Sequence, residues 1–322
     1  MDPAPHHDPA WLAAVAAAQV HDGQVTVTVS GKERAFRLFV LTGFPCSGLD
    51  WVGRLLSLHP AVIAADGPHR LGPLGGTRKP SKAEMQHATD EAMRASLVAA
   101  WKKPGATHLG VMVLPGDARG GDPEITVLRD GRDVVVAWTL RQLRENGEAL
   151  QRFVVKDDAG NRMPEIHRRF EADPIDILER NPGLLLSDYD WVRYASHLWD
   201  DEVTGHFSAM SAIYDGKLSG PEAQELYFEA ARSSPLTALT LACRFLGLAP
   251  PAADLVPGGG DPVSASEPDQ ELVAEWEVGR WKRYFTPTAS NLFKMEAEAG
   301  LQCVTRNYGD DEWAGECGPA TT

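Results

Sequence analysis

Apolar and polar residues alternate with period two over Gln24-Val25-Thr26-Val27-Thr28-Val29, which predicts a strand with one buried face. Ser30-Gly31-Lys32 is turn-forming, and Ala35 to Thr42 follows with the continuous apolar stretch Leu38-Phe39-Val40-Leu41. The pattern predicts a hairpin whose second strand runs into a sheet buried on both faces. Before it, Asp8 to Gln19 reads as a helix, with Asp8 as cap, Pro9 in the first turn and an alanine-rich run behind. After it come a glycine-bounded loop and a helix from Trp51 to Ser57 that stops before His59-Pro60.

The same reading continues downstream. Helices are predicted over Lys82 to Trp101, from about Asp133, over Trp191 to Ile213 and over Pro235 to Leu246, the last stopped by Gly247. Strands are predicted over His108 to Leu114, Ile125 to Leu128 and Glu225 to Glu229. Residues 270–299 read as helix in two pieces. Residues 66–82, rich in glycine, proline and basic side chains, form a long loop of the kind that faces a substrate, and Ala249 to Pro268 forms a second loop. Residues 145–190 carry mixed charge and read as substrate-side helices, and the tail after Gly309 reads as frayed. Strands alternating with helices predict a parallel sheet with helices on both faces, and no internal repeat is visible.

Composition narrows the class. The chain has 322 residues, 43% of them hydrophobic, enough for one large core. Its first eight residues lack the basic flank and apolar run of a signal peptide, and no stretch approaches the roughly 18 apolar residues of a membrane span, so a cytosolic protein is expected. A formal net charge of −14 disfavours nucleic acid and anionic membranes as partners. Cys46, Cys243, Cys303 and Cys317 are scattered with no C-x-x-C pair, which predicts neither a disulfide framework nor a metal site.

The chemistry concentrates in the loop after the first core strand, Gly43-Phe44-Pro45-Cys46-Ser47-Gly48. A strand, a glycine-bounded loop and a helix together aim backbone N–H groups and the positive end of a helix dipole at an anion. The glycines have the offset of a Walker-type loop, but Leu49-Asp50 stands where that motif needs Lys and Ser or Thr, which counts against a nucleotide kinase. Phe44-Pro45-Cys46-Ser47-Gly48-Leu49-Asp50-Trp51 instead resembles the 5′-phosphosulfate loop of the sulfotransferases, usually Pro-Lys/Arg-Ser-Gly-Thr-Thr-Trp. Ile125 to Ala137, containing Arg129-Asp130-Gly131-Arg132-Asp133, is similar to that family's 3′-phosphate segment. Thr107-His108-Leu109 resembles its catalytic-base segment, with His108 62 residues after Cys46 and 21 before Arg129. Tyr227-Phe228-Glu229 through Gly247 and Val278-Gly279-Arg280-Trp281-Lys282 resemble two further segments, so the likeness spans residues 36–310.

The resemblance implies a P-loop-type three-layer α/β sandwich forming a single domain. Residues 1–35 would be an N-terminal helix and hairpin, 36–310 the core and 311–322 a flexible tail. It also implies transfer of a sulfuryl group from 3′-phosphoadenosine 5′-phosphosulfate to a hydroxyl or amine of a small-molecule acceptor. His108 would be the base, adenosine 3′,5′-bisphosphate would leave, and no metal would be required. Carried over by position, the donor contacts are Phe44 through Trp51, Arg129, Ala137 and Phe228, with Arg280 and Lys282, or Arg78 and Lys79, as substitute cations.

Several of these positions depart from the family pattern. Cys46 replaces the leaving-group cation, Leu49 and Asp50 replace two hydroxyls on the 5′-phosphate, and Ala137 replaces a serine on the 3′-phosphate. Phe228 replaces an adenine-side tyrosine, and Ala274-Glu275-Trp276 stands at a basic triplet. Charge-assisted hydrogen bonds contribute about 1.5–3 kcal/mol each, so losing two or three weakens donor binding by about three orders of magnitude. Two alternatives therefore stay open: a sulfotransferase-fold binding module without the reaction, and a repurposed cleft using His108 with Asp50 or Cys46. For Cys46 the plain reading is a small thiol filling the loop. For Asp50 it is a favourable charge at a helix N-terminus.

Overall fold

The computed structural model describes residues 9–64, 82–113, 122–145, 162–217, 223–256 and 276–308. Residues 65–81, 257–275 and the tail beyond 308 lie outside these, so the predictions made for the first loop, for most of the second, for Asp8, for Arg78 and Lys79 and for the C-terminal tail fall outside the described residues.

After helix α1 (Pro9–Ala16), which ends three residues before the predicted Gln19, the predicted hairpin is present as β2 (Gln24–Val29) and β3 (Lys32–Gly43), preceded by a short strand β1 (Gln19–His21) that the sequence pattern does not predict. β2 pairs antiparallel with the first half of β3. The second half of β3 is buried and parallel to both its neighbours. It pairs with β5 (His108–Val113) from Arg37↔His108 to Thr42↔Val113, and with β6 (Glu124–Leu128) from Val40↔Glu124 to Gly43↔Val127. β4 (Val62–Ala64) flanks β5 and β7 (Ala223–Tyr227) flanks β6. The parallel core therefore runs β4-β5-β3-β6-β7, a mixed sheet once the hairpin is included.

Helices cover both faces, as the alternation of β3 requires. Phe39 and Leu41 point to one side, where α2 (Leu49–Ser57) and α8 (Pro235–Phe245) pack through Trp51, Leu55, Leu239 and Cys243. Phe36, Leu38 and Val40 point to the other, against α1 and α3 (Lys82–Ala100). That second face continues under α4 (Gly131–Glu145), α6 (Tyr189–Tyr214) and α10 (Pro287–Tyr308), which share a core built on Val135, Trp138, Trp191, Trp199 and Phe293. The result is the three-layer, P-loop-type α/β sandwich expected from the sequence. No helix among the described residues is long and apolar enough to cross a membrane.

The remaining elements differ from expectation in detail. Residues 163–184 form α5 (Met163–Ala172), a π turn over Asp176–Arg180 and a 3-10 turn over Pro182–Leu184. Asp188 caps α6, accepting from Trp191 N at 3.1 Å, and its second oxygen accepts from Met163 N at 2.9 Å, which pins α5 to the start of α6. β7 ends at Tyr227, so Phe228 and Glu229 open helix α7 (Phe228–Ser233) rather than close the strand. α9 is short (Trp281–Tyr284), and α10 runs on to Tyr308 with non-helical angles at Ala297.

What matters for function is the join between β3 and β6. The helix after β3 lies on one face of the sheet and the helix after β6 on the other, so the two chains diverge at the carboxyl ends of adjacent strands. In open α/β sheets ligands bind in the crevice at such a point.

Candidate functional site

The loop at residues 43–48 sits in this crevice. Ser47 N donates to Phe44 O at 2.9 Å, and Gly48, at φ 92°, starts α2 in a left-handed conformation that favours glycine. Cys46 is also left-handed, at φ 64°. That turn of the backbone presents the Cys46 carbonyl oxygen, not an N–H, to Arg129.

Arg129 leaves the end of β6 and is 1% exposed. Its guanidinium donates to Cys46 O at 2.9 Å and to Glu277 O at 3.0 Å. It thus ties the loop to the segment before α9. The same guanidinium lies 4.7 Å above the Phe228 ring. Phe228 in turn packs on the loop so closely that a Cβ on Gly48 would meet its ring at 2.3 Å. Loop, aromatic ring and guanidinium form a closed stack.

Most of the other predicted donor residues pack into the core or against one another. Trp51 is fully buried, with Phe228 edge-on at 5.7 Å and the Arg232 guanidinium over its ring at 5.2 Å. Leu49 packs against the α2–α8 core, and Asp50 lies in the first turn of α2. Pro45 and Ala137 are buried. Phe44 stands edge-on to Trp138 at 5.4 Å. Arg280 lies over the Tyr284 ring at 5.5 Å, and Lys282 is exposed on the short helix after it. Trp276 is buried with α2, and Ala274 and Glu275 lie outside the described residues.

His108 is not brought to this site. It opens β5, paired with Arg37, whereas the loop follows the far end of β3. Five further residues of parallel strand, at about 3.3 Å each, separate the two ends by roughly 17 Å. Its Nδ1 lies 3.0 Å from Thr107 Oγ1, and burial, the Arg37 charge and the nearby His59 all hold its pKa below the usual histidine value. The expectation that His108 works as the base beside the loop, alone or with Asp50 or Cys46, is therefore corrected. The Thr-His-Leu segment matches in spacing but sits at the amino end of the sheet.

Buried charge at the end of β6 is matched internally. Asp130 takes Arg132 through Nε at 3.0 Å and NH2 at 2.5 Å, and Arg132 stacks on Trp281 at 3.9 Å. Asp133 accepts from Gly279 N at 2.7 Å and Trp281 N at 2.8 Å, and burial pushes its pKa up to about 6. Glu229 accepts from Asp130 N at 2.9 Å; burial, followed by the Asp130 charge, raises it to about 7. Arg129, the arginine expected to meet phosphate, and Arg132 thus sit among three carboxyl groups, and Arg132 pairs with Asp130 rather than Asp133.

Beside the closed stack there is open space. A cavity of about 250 Å³ lies between the carboxyl ends of β3 and β6 and helix α6. Its walls include Thr42, Phe44, Ser47, Glu124, Trp199, Glu202 and His206. Thr42 and Ser47 are buried, and neither hydroxyl has a hydrogen-bond partner among the described residues. Glu124 accepts from Thr126 Oγ1 at 2.9 Å, and His206 Nε2 lies 3.3 Å from Glu225 Oε1. Hydrogen bonds from His206 and Tyr227 keep the Glu225 carboxyl below its usual pKa. Of the predicted residues, Phe44, Ser47 and Arg129 reach this cavity. Glu124, Glu202 and His206 were missed, although their spacing carried a signal. Glu202 and His206 are one helical turn apart, and Glu124 and Thr126 are polar positions on the inward face of a strand.

No family model matches the chain, and no curated protein matches it. Among solved structures it is similar to mouse sulfotransferase SULT7A1 complexed with PAP, at 12% identity over 93% of this chain and 94% of that one, with a TM-score of 0.42. Retinol dehydratase in complex with androsterone and inactive cofactor PAP gives 12% identity over 92% and 94%, with a TM-score of 0.41. The sulfotransferase domain of the Synechococcus PCC 7002 olefin synthase gives 14% identity over 80% and 93%, with a TM-score of 0.35. At these scores the likeness carries no weight for the chemistry, which has to be read from the chain's own residues.

Proposed function

We propose that this chain is a small-molecule-binding protein on a sulfotransferase-like α/β frame, whose phosphosulfate cleft is closed by its own side chains and whose ligand site is the adjoining cavity. The observation that carries this reading is the commitment of Arg129. Its two terminal nitrogens donate to the carbonyls of Cys46 and Glu277, and its face covers Phe228, which fills the space against Gly48. A bisphosphate nucleotide would have to displace that ring, break both hydrogen bonds and enter beside Asp50 with no cation at position 46.

The competing reading is sulfuryl transfer from 3′-phosphoadenosine 5′-phosphosulfate to a small-molecule hydroxyl or amine. One observation favours it: the loop and Arg129 do converge at the sheet's switch point, the place where such a donor would lie. In that reading the loop amides and a released Arg129 would hold the nucleotide, and the base would have to be a residue other than His108.

Thermal unfolding with adenosine 3′,5′-bisphosphate separates the two. A ligand at a thousandfold excess over its Kd stabilises by about 4 kcal/mol. We expect no change in Tm at millimolar nucleotide. A rise of several degrees would return the donor to the cleft and overturn the closed-cleft reading.

A further inference from the structure

We propose that the cavity between β3, β6 and α6 binds a small organic cation, an ammonium group on a short carbon chain, recognised by Glu124, Glu202 and the hydroxyls of Thr42 and Ser47. The inference rests on the reading that this cavity is the ligand site, and it names the ligand's class.

Three observations point to a cation. First, Glu124 and Glu202 both line the cavity, and Glu225 stands one hydrogen bond behind His206. Glu225 stays ionised, since the His206 and Tyr227 hydrogen bonds hold its pKa down. Arg129 and His206 also line the cavity, with two Arg129 nitrogens held by the Cys46 and Glu277 carbonyls and His206 beside Glu225. Second, Thr42 and Ser47 are at least nine-tenths buried and line the cavity, and their hydroxyls have no hydrogen-bond partner among the described residues. A buried hydroxyl without a partner is unfavourable, and an ammonium group supplies N–H donors to hydroxyl and carboxylate oxygens alike. Third, the other walls are apolar and aromatic, including Phe44, Leu128, Val203 and Trp199, which suits a short hydrocarbon and offers ring faces to a positive charge.

Size and chemistry restrict the class further. At about 250 Å³ the cavity lies below the roughly 300–1,000 Å³ of drug-sized sites, so the ligand is a small metabolite. Among the described residues no group of three His, Cys, Asp or Glu side chains could hold a metal ion.

The test uses the full chain at constant ionic strength, with putrescine, tyramine and agmatine as probes and succinate and butane-1,4-diol as controls. Calorimetric titration should show saturable binding of at least one amine and of neither control. Glu124→Gln and Glu202→Gln should each weaken that binding tenfold or more, and Thr42→Val should weaken it in a chain whose circular dichroism is unchanged. No saturable binding of any of the three amines would overturn the proposal. Equal binding by the double glutamine variant would overturn it too, since the response would then come from the general acidity of the chain. Adenosine 3′,5′-bisphosphate is titrated alongside. Its failure to bind together with amine failure removes the ammonium site alone, whereas nucleotide binding removes the closed-cleft reading.

Discussion

Replacing Arg129 by methionine is expected to destabilise the chain by about 3–5 kcal/mol, the range for removing one partner from a buried charge network. For a chain of this size that is a fall in Tm of roughly 5–10 °C. Three losses act together. The carbonyls of Cys46 and Glu277 lose their donor, Phe228 loses the group stacked on it, and Asp133 and Glu229 lose a neighbouring positive charge. The last effect drives both carboxyls further toward their protonated forms, because Arg129 is what lowers their pKa against burial. An arginine whose task is to meet a ligand behaves differently. Its removal leaves stability near the parent value and abolishes binding instead. Chemical denaturation of the Arg129→Met variant, in the absence of any ligand, therefore reads the structural role directly.

The second large effect is a dependence of stability on pH set by Glu229. Its folded pKa is raised from the ordinary glutamate value of 4.5 to about 7, mainly by burial. A raised acid favours the folded state in its protonated form. The contribution is fully present below about pH 4.5 and declines as pH rises, until it is lost above about pH 7. A shift of that size corresponds to about 3 kcal/mol. Asp133, raised to about 6 by burial, acts with the same sign over a lower window. Glu229→Gln keeps an oxygen to accept from Asp130 N and cannot ionise. It should match the parent near pH 4.5 and exceed it by about 1–3 kcal/mol at pH 8. A variant no more stable than the parent at pH 8 would show that Glu229 is ionised without penalty. Urea denaturation at the two pH values reads both ends of the comparison.

The architecture was largely legible because most of its elements carry their own periodicity. β2 alternates along its whole length, and β3, β5 and β6 are apolar runs long enough to stand out between helices. β4 was not legible: three buried residues, Val62–Ala64, owe their strand conformation to pairing with β5 rather than to any local pattern. The end of β7 was misplaced for a related reason. Tyr227 and Phe228 have similar strand preference, and what stops the strand is the start of α7.

The site was legible in position and not in state. Glycines at 43 and 48 after an apolar strand located the loop, but the direction of the Cys46 carbonyl depends on Arg129, 83 residues away. The closure by Phe228 depends on a residue further still along the chain. His108 was misassigned because spacing counts residues and does not say at which end of a strand a residue falls. His108-Leu109-Gly110-Val111-Met112-Val113 is buried throughout, so nothing in the run itself marks its direction relative to the loop. The tryptophans at 138, 191 and 199 are core residues, and Trp199 alone among them also borders the cavity.

The most direct measurement is a crystal structure of the chain grown with both adenosine 3′,5′-bisphosphate and putrescine at millimolar concentration. The expected result is ordered density for the amine between Thr42, Ser47, Glu124 and Glu202, with Arg129 still bonded to the Cys46 carbonyl and Phe228 still against Gly48. Nucleotide density over the loop, with the Arg129 guanidinium turned onto a phosphate and the Phe228 ring displaced, would contradict the account.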